Sequence, residues 1–367
     1  MPAAYHMIGY IHEGPKALGR TLDTNEAGIA SLAAKIRERG IQRLILSGVG
    51  SSHTAAMMAY PLMRYHVPIK VDVIPSTEFA YYGDRLLNPQ TAVVVVSRSG
   101  ERGWVVEAMD DAKRRGALGV AMTGVADSLL AQHAQVTLLT AEGSEITFPK
   151  TKSVLACVGL LMRLGLELAD PKDGEAVQRR RTLAAAAAAS DKVVGAAEDA
   201  VRTLMPKLAK HSTVFMGGTG SNYGAALEGA VKLQETAYVT TLSDHTGNIF
   251  HGALGPLNKD WLILPLVHAA DTKLVLQLLR LVRKFGAHSL AVAEPGVDLQ
   301  GLSDYTINLP ERTDPLLAAL SYLPVLQLLT YYWTVERKLN PDEPSIMRDM
   351  LDAMLPAGRQ EPELRKG

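Results

Sequence analysis
Short apolar runs alternate with longer amphipathic stretches along most of this chain. Runs of strand length occur at Leu44–Leu46, Pro68–Ile74, Thr91–Val96, Ala117–Met122 and Gln135–Leu139, and segments of helix length separate most of them. Thr91–Val96 carries four consecutive valines, and Pro68–Ile74 reads as a strand buried on both faces. Strands interleaved with helices predict a parallel, doubly wound sheet. Helices are expected at Glu26–Arg39, closed by Gly40, at His53–His66, from the Ser97–Arg102 turn to Arg115, and at Lys150–Ala169. Residues 1–20 read as an entry segment turning at Gly14-Pro15. Ser76–Phe79 reads as a loop or a helical turn.

The pattern then repeats at one offset. Gly50-Ser51 recurs 170 positions later as Gly220-Ser221, and Ala55-Ala56 as Ala225-Ala226. Ala92–Val96 recurs as Leu262–Leu266, Gly116-Ala117 as Gly286-Ala287, and Val120–Met122 as Leu290–Val292. A constant spacing over so many features predicts two copies of one fold. The expected organisation is an N-terminal helical segment (1–40), a first α/β domain (41–170), a helical connection (171–211), a second α/β domain (212–338) and a polar tail (339–367). Each domain is a doubly wound parallel five-stranded sheet flanked by helices. The unbroken Ala184–Ala189 makes the connection helical, alanine being the best helix former.

The 367 residues suffice for two domains with cores of their own. Lys plus Arg and Asp plus Glu both number 38, a balance that argues against nucleic-acid binding. The single cysteine, Cys157, sits in an apolar helical run and cannot form an internal disulfide, which fits a reducing cytoplasm. His6, His12 and Glu13 interrupt any secretory core. The most membrane-like run, Leu316–Trp333, carries Pro324, Gln327 and several tyrosines, so a buried helix or subunit contact is expected rather than a span.

Four stretches carry candidate chemistry. Gly48–Ser52 leads from a strand into a helix, whose N-terminus offers unpaired N–H groups and a partial positive charge, and Ser51 and Ser52 add hydroxyl donors. That combination favours phosphate. Ser97-Arg98-Ser99-Gly100-Glu101-Arg102 is a second candidate of the same kind, although serine is also a common helix cap. Glu228, Lys232 and Glu235 share a helical face, either as a solvated salt-bridged surface or as a carboxylate base with a cation beside it. Asp244–Gly252 is a polar loop bearing His245 and His251, suited to proton transfer near neutral pH or to no role at all. No third ligand at a sensible spacing supports a metal site there.

At these residues the chain resembles the sugar isomerase (SIS) domain family, in particular the tandem-SIS isomerase half of glucosamine-6-phosphate synthase. Gly50-Ser51-Ser52 stands where the family has Gly-Thr-Ser, and Ser97–Glu101 where it has Ser-Gln-Ser-Gly-Glu. Gly143–Ile146, Thr151-Lys152, Leu227–Glu235 and Gly247–Gly252 resemble further family motifs in the same order. The resemblance implies that Ser51, Ser52, Ser97 and Ser99 hold a sugar phosphate, with Arg98, Arg102 and Lys150 as further substrate-binding candidates. It implies that Glu235 is the base moving a proton between carbons one and two, with Lys232 beside it. His251, reaching in from a second subunit, would open the sugar ring. A homodimer follows from that role, and no cofactor is called for.

Departures from the family narrow the reaction. No glutaminase domain with its N-terminal cysteine accompanies these motifs, so glutamine is not expected as the ammonia source within this chain. Arg102 replaces a threonine and Lys150 a serine. The imine-forming C-terminal lysine aligns with Asp349, which removes that route. The expected activity is an aldose–ketose isomerase, or isomerising deaminase, of a sugar phosphate or amino sugar phosphate. A non-catalytic phosphosugar sensor is the alternative. Nucleotide binding is a weaker one, because Ile74-Pro75-Ser76 occupies the place of an acidic ribose partner.

Overall fold
The computed structural model describes residues 5–82, 85, 87–101 and 103–354. Its helices and strands follow in order as α1 (His6–Thr24), α2 (Glu26–Glu38), β1 (Arg43–Gly48), α3 (Ser51–His66), β2 (Lys70–Pro75), α4 (Ser76–Tyr82), β3 (Thr91–Val96), α5 (Gly103–Arg114), β4 (Leu118–Thr123), α6 (Leu129–His133), β5 (Val136–Leu139) and α7 (Lys152–Leu168). There follow α8 (Gly174–Ala184), α9 (Ala186–Leu208), β6 (Thr213–Gly218), α10 (Ser221–Ala237), β7 (Thr240–His245), β8 (Trp261–Val267), α11 (Thr272–Lys284), β9 (His288–Ala293), β10 (Tyr305–Asn308), α12 (Ala319–Glu336) and α13 (Ser345–Met354).

The strands form two five-stranded sheets of identical topology. Their orders are β2-β1-β3-β4-β5 and β7-β6-β8-β9-β10, and every pairing is parallel. The first four strands of the second sheet begin 170 residues after their counterparts, and the fifth 169 after. The repeat read from the sequence is therefore a repeat of architecture. Pro265 in β8 has no N–H to give, and the β8–β9 register skips between Ile263 and Leu266.

The chain divides into two compact units. The first comprises Gly14–Gly143 and Lys152–Ala187 and contains the first sheet; the second comprises Met1–Glu13, Ser144–Thr151 and Ala188–Gly367 and contains the other sheet. In the first, β3 and β4 are buried along their whole length, and Ile45, Val93, Val95, Ala108, Met109 and Ala121 share one core. Helix α7 packs on α3 there, and Cys157 lies buried in α7 with its thiol pushed up by burial and by the nearby Glu142 charge. In the second, α12 packs on α10, and Phe215, Ile263, Leu278 and Val282 form a core. Buried Gln327 of α12 donates to the Thr151 carbonyl at 3.0 Å. Among the described residues no helix is long and apolar enough to cross a membrane.

Several local expectations are corrected. No turn forms at Gly14-Pro15: α1 runs through both, carried by the helical stripe of Met7, Ile11, Gly14, Leu18 and Thr21, all buried. Strand β2 is not buried on both faces: it lies at the sheet edge with Lys70 exposed and only Val71 buried. Within the tail, residues 345–354 form α13. Helix α3 starts at Ser51, two residues earlier than expected, so both hydroxyls of the pair lie inside its first turn.

Candidate functional site
In the first unit, Gly50 is held at φ +57° and ψ −129°, a conformation open to glycine, and turns the chain from β1 into α3. The turn closes with His53 and Thr54 N–H groups donating to the Gly50 carbonyl at 2.9 and 3.0 Å. Ser51, Ser52 and His53 are half-buried in the first helical turn. Burial lowers the His53 imidazole below its ordinary range, and its Nδ1 is enclosed without a hydrogen-bond partner. At the neighbouring strand end, the Ser97 hydroxyl accepts from the Gly100 N–H at 3.1 Å, closing the Ser97–Gly100 loop on itself. The Arg98 carbonyl accepts from Gly124 N–H at 3.0 Å and from Thr123 Oγ1 at 3.1 Å, which fastens the loop to the end of β4. Both loops lie at the carboxyl ends of adjacent strands, where ligands of such sheets sit. Ser76, at the end of β2, is buried with its hydroxyl 2.9 Å from that of Ser47.

The Arg98 side chain is aimed at Glu142, with Nε 3.6 Å from Oε1. Glu142, fully buried, was not picked out from sequence. Arg102 lies outside the described residues.

The second unit holds Glu235, Lys232, Lys150 and His251. On α10 the Lys232 ammonium donates to Glu235 Oε2 at 2.6 Å and lies 3.5 Å from Glu228 Oε1. Glu228 and Lys232 are buried, and the Glu235 side chain keeps 19% exposure. This face is therefore not a solvated one. Burial pulls the lysine down, but the charges of Glu235 and Glu228 outweigh it and hold the ammonium above its usual range. His251 is exposed at the end of a 3₁₀ turn, Asn248–Phe250, whose Asn248 is tied to Asp244 at 3.0 Å. Lys150 donates to the carbonyls of Glu145 and Thr147 at 2.9 and 2.6 Å, within its own loop. The same loop is braced by Glu145, which accepts from Thr151 N–H and hydroxyl.

The repeat of the serine turn in the second unit has the same backbone and a different fate. Gly220 has φ +55° and ψ −131°, but Ser221 is buried and its hydroxyl donates to the Pro315 carbonyl. Thr219 Oγ1 donates to Asp271 Oδ2 at 2.6 Å, and Ala269 N–H to Glu294 Oε2 at 3.0 Å. The donors at this strand end are taken by the protein's own carboxylates. Burial raises the Asp271 carboxyl above its ordinary value, against the bonds from Thr219 and His268. The sequence signal was present but unread: Asp271 and Glu294 stand 170 residues after Glu101 and Gly124.

The SIS domain model matches residues 36–164 and 207–337. The chain belongs to the SIS domain family. It is 30% identical over 362 residues to glutamine–fructose-6-phosphate aminotransferase of Pseudomonas aeruginosa, and 29% identical over 343 residues to that of Pyrococcus horikoshii. Each alignment covers 93% of this chain but only 57% and 56% of those relatives, so the chain spans little more than half their length. Among solved structures, the C-terminal domain of the Francisella tularensis aminotransferase matches with TM-score 0.83 at 20% identity, covering 94% of this chain and 99% of that one. Tagatose-6-phosphate ketose/aldose isomerase from Escherichia coli matches with TM-score 0.77 at 21% identity over 94% and 97% of the two chains. Glucosamine-6-phosphate deaminase from Thermotoga maritima gives 0.76 at 20% over 92% and 97%. These structures share the fold. Among the described SIS residues, no group of three or more His, Cys, Asp or Glu side chains could hold a metal ion.

Proposed function
We propose that this chain isomerises a phosphorylated sugar or amino sugar between aldose and ketose forms, with deamination accompanying isomerisation if the substrate carries an amine. The observation that carries the reading is the Glu228–Lys232–Glu235 array: a partly exposed carboxylate hydrogen-bonded by a buried ammonium that a second, buried carboxylate keeps charged. A base that removes a proton beside a carbonyl must be oriented and must not be consumed by its own cation. Lys232 orients Glu235 while Glu228 shares its charge.

In this reading the phosphate is anchored by the Ser51, Ser52, Ser97 and Ser99 hydroxyls and the helix start of α3. Anchoring turns proton transfer into a step of fixed geometry. Glu235 takes the proton from carbon two of the open aldose and returns it to carbon one, through an ene-diol. His251 of a second copy of the chain moves the proton at the ring oxygen that opens the ring; its exposure supports that assignment. The sugar isomerase and amino sugar deaminase that share this fold are of the same reaction class by their names.

The experiment is a panel of phosphorylated sugars and amino sugars scored by thermal shift, then by conversion and ammonia release, on the wild type and Glu235→Gln. Binding kept and turnover lost in the variant supports the reading. A wild type that binds a phosphosugar and converts none of the panel makes the chain a sensor instead.

A further inference from the structure
Glu142 is a buried carboxylate of the first unit that the mechanism above does not use. Glu142 follows β5, and its backbone is fixed from behind. Arg20 donates to the carbonyls of Ala141 and Glu142 at 3.2 and 3.3 Å, Thr21 Oγ1 accepts from Ala141 N–H at 2.8 Å, and Asn25 donates to the Leu139 carbonyl at 2.7 Å. The carboxylate is thereby delivered under the serine loop. A Cβ on Gly124 would lie 2.2 Å from Glu142 Oε1, so a glycine is needed there for the carboxylate to enter. Beyond it lies Arg98, the side chain flanked by Ser97 and Ser99.

The second unit builds the same arrangement from different residues. His268, 170 positions after Arg98, has Nε2 3.3 Å from Glu294 Oε1, and Glu294 stands 170 positions after Gly124. In one unit the carboxylate comes from the residue after the fourth strand; in the other that residue is glycine and the carboxylate comes from beyond the fifth. A buried carboxylate thus lies under the corresponding loop of both copies, reached by two routes.

We infer that Glu142 is a positioning residue that holds Arg98 on itself and so limits the grip of the serine loop on its anion. A guanidinium free to face a phosphate makes paired, charge-assisted bonds. Shared with a buried carboxylate, it leaves the anion to hydroxyls and backbone N–H groups. Binding that is equally strong in ground and transition state does not raise turnover, and a site that must release a phosphorylated product gains from such restraint. The inference rests on the reading of Ser97 and Ser99 as phosphate ligands.

The test is calorimetric titration of inorganic phosphate and fructose 6-phosphate into the wild type, Glu142→Gln, Arg98→Gln and the double variant. Glu142→Gln is expected to bind both about tenfold tighter, and Arg98→Gln about tenfold weaker because the loop then loses its guanidinium while the Glu142 carboxylate stays beneath it. The double variant returns to within about threefold of the wild type. Tightening is decisive, since a merely structural carboxylate would weaken binding when removed. A folded Glu142→Gln that binds no tighter than wild type overturns the inference. Should that variant not fold, Arg98→Gln and the double variant decide alone, and equal affinities overturn it. A wild type that binds neither probe overturns the phosphate reading itself, and the inference with it.

Discussion

Lys232 Nζ lies 2.6 Å from Glu235 Oε2 with only 3% of the lysine side chain exposed. The pair is desolvated on one side and open on the other, so a change at Lys232 touches both stability and chemistry. Removing one partner of a buried ion pair costs about 3–5 kcal/mol, because the remaining charge is stranded. Lys232→Gln is therefore expected to lower the unfolding free energy, read from denaturant titration, by that scale and to cut kcat at least 100-fold. Adding Glu228→Gln should recover much of the stability and none of the activity. Equal losses of both in the double variant would remove the distinction between the two roles.

Ser97 and Ser99 give the second expectation. A hydrogen bond to a charged group contributes about 1.5–3 kcal/mol, so Ser99→Ala should weaken phosphosugar binding by roughly 10- to 100-fold. Ser97→Ala should do the same and also loosen the loop, because the Gly100 N–H loses its acceptor. Titration calorimetry reads the first effect, and amide exchange at Gly100 the second.

His53 sets a pH dependence. Burial lowers its folded pKa below the ordinary 6.5, so the unfolded chain binds the extra proton first. Its contribution to stability is present above about 6.5 and is lost as the pH falls from there toward the folded value. Urea midpoints should drop between pH 7.5 and 5.5 in the wild type and drop less in His53→Asn. An identical pH profile in the two proteins would contradict the assignment.

Asp342 caps a helix far from it in sequence. Its Oδ2 and Oδ1 accept from the His6 and Met7 N–H groups at 2.7 and 2.8 Å, the first turn of α1. Losing a cap costs about 1 kcal/mol, so Asp342→Ala should speed amide exchange across residues 6–10 while leaving the strands of both sheets protected. Unchanged exchange there would assign the stability of α1 to its apolar stripe alone.

The central strands were legible because β3 and β4 write themselves as unbroken apolar runs, and because the 170-residue offset marked β1, β3 and β4 again in β6, β8 and β9; the polar edge strands β7 and β10 carry no such signal. Gly50 and Ser51 were legible for the same reason: a left-handed glycine before a helix leaves a local signature. Helix α1 was not, since Gly14-Pro15 is a strong local turn signal and the stripe that overrides it is satisfied only by packing. The buried state of Glu228 and Lys232 was equally hidden, for a four-residue spacing of charges looks the same on a wet face and a dry one. Glu142 left no mark because its partner, Arg98, lies 44 positions earlier in the chain. Asp271 and Glu294 could have been found by asking what stands opposite Glu101 and Gly124 in the repeat.

The bond from Thr219 to Asp271 makes the two halves of the duplication unequal. In one copy Ser51 and Ser52 stand half-buried at the helix start; the other carries its own counter-ion, permanently. Saturation with a phosphorylated ligand should accordingly stop at one equivalent per polypeptide, with a hyperbolic isotherm, and any sigmoid curvature would have to originate between chains.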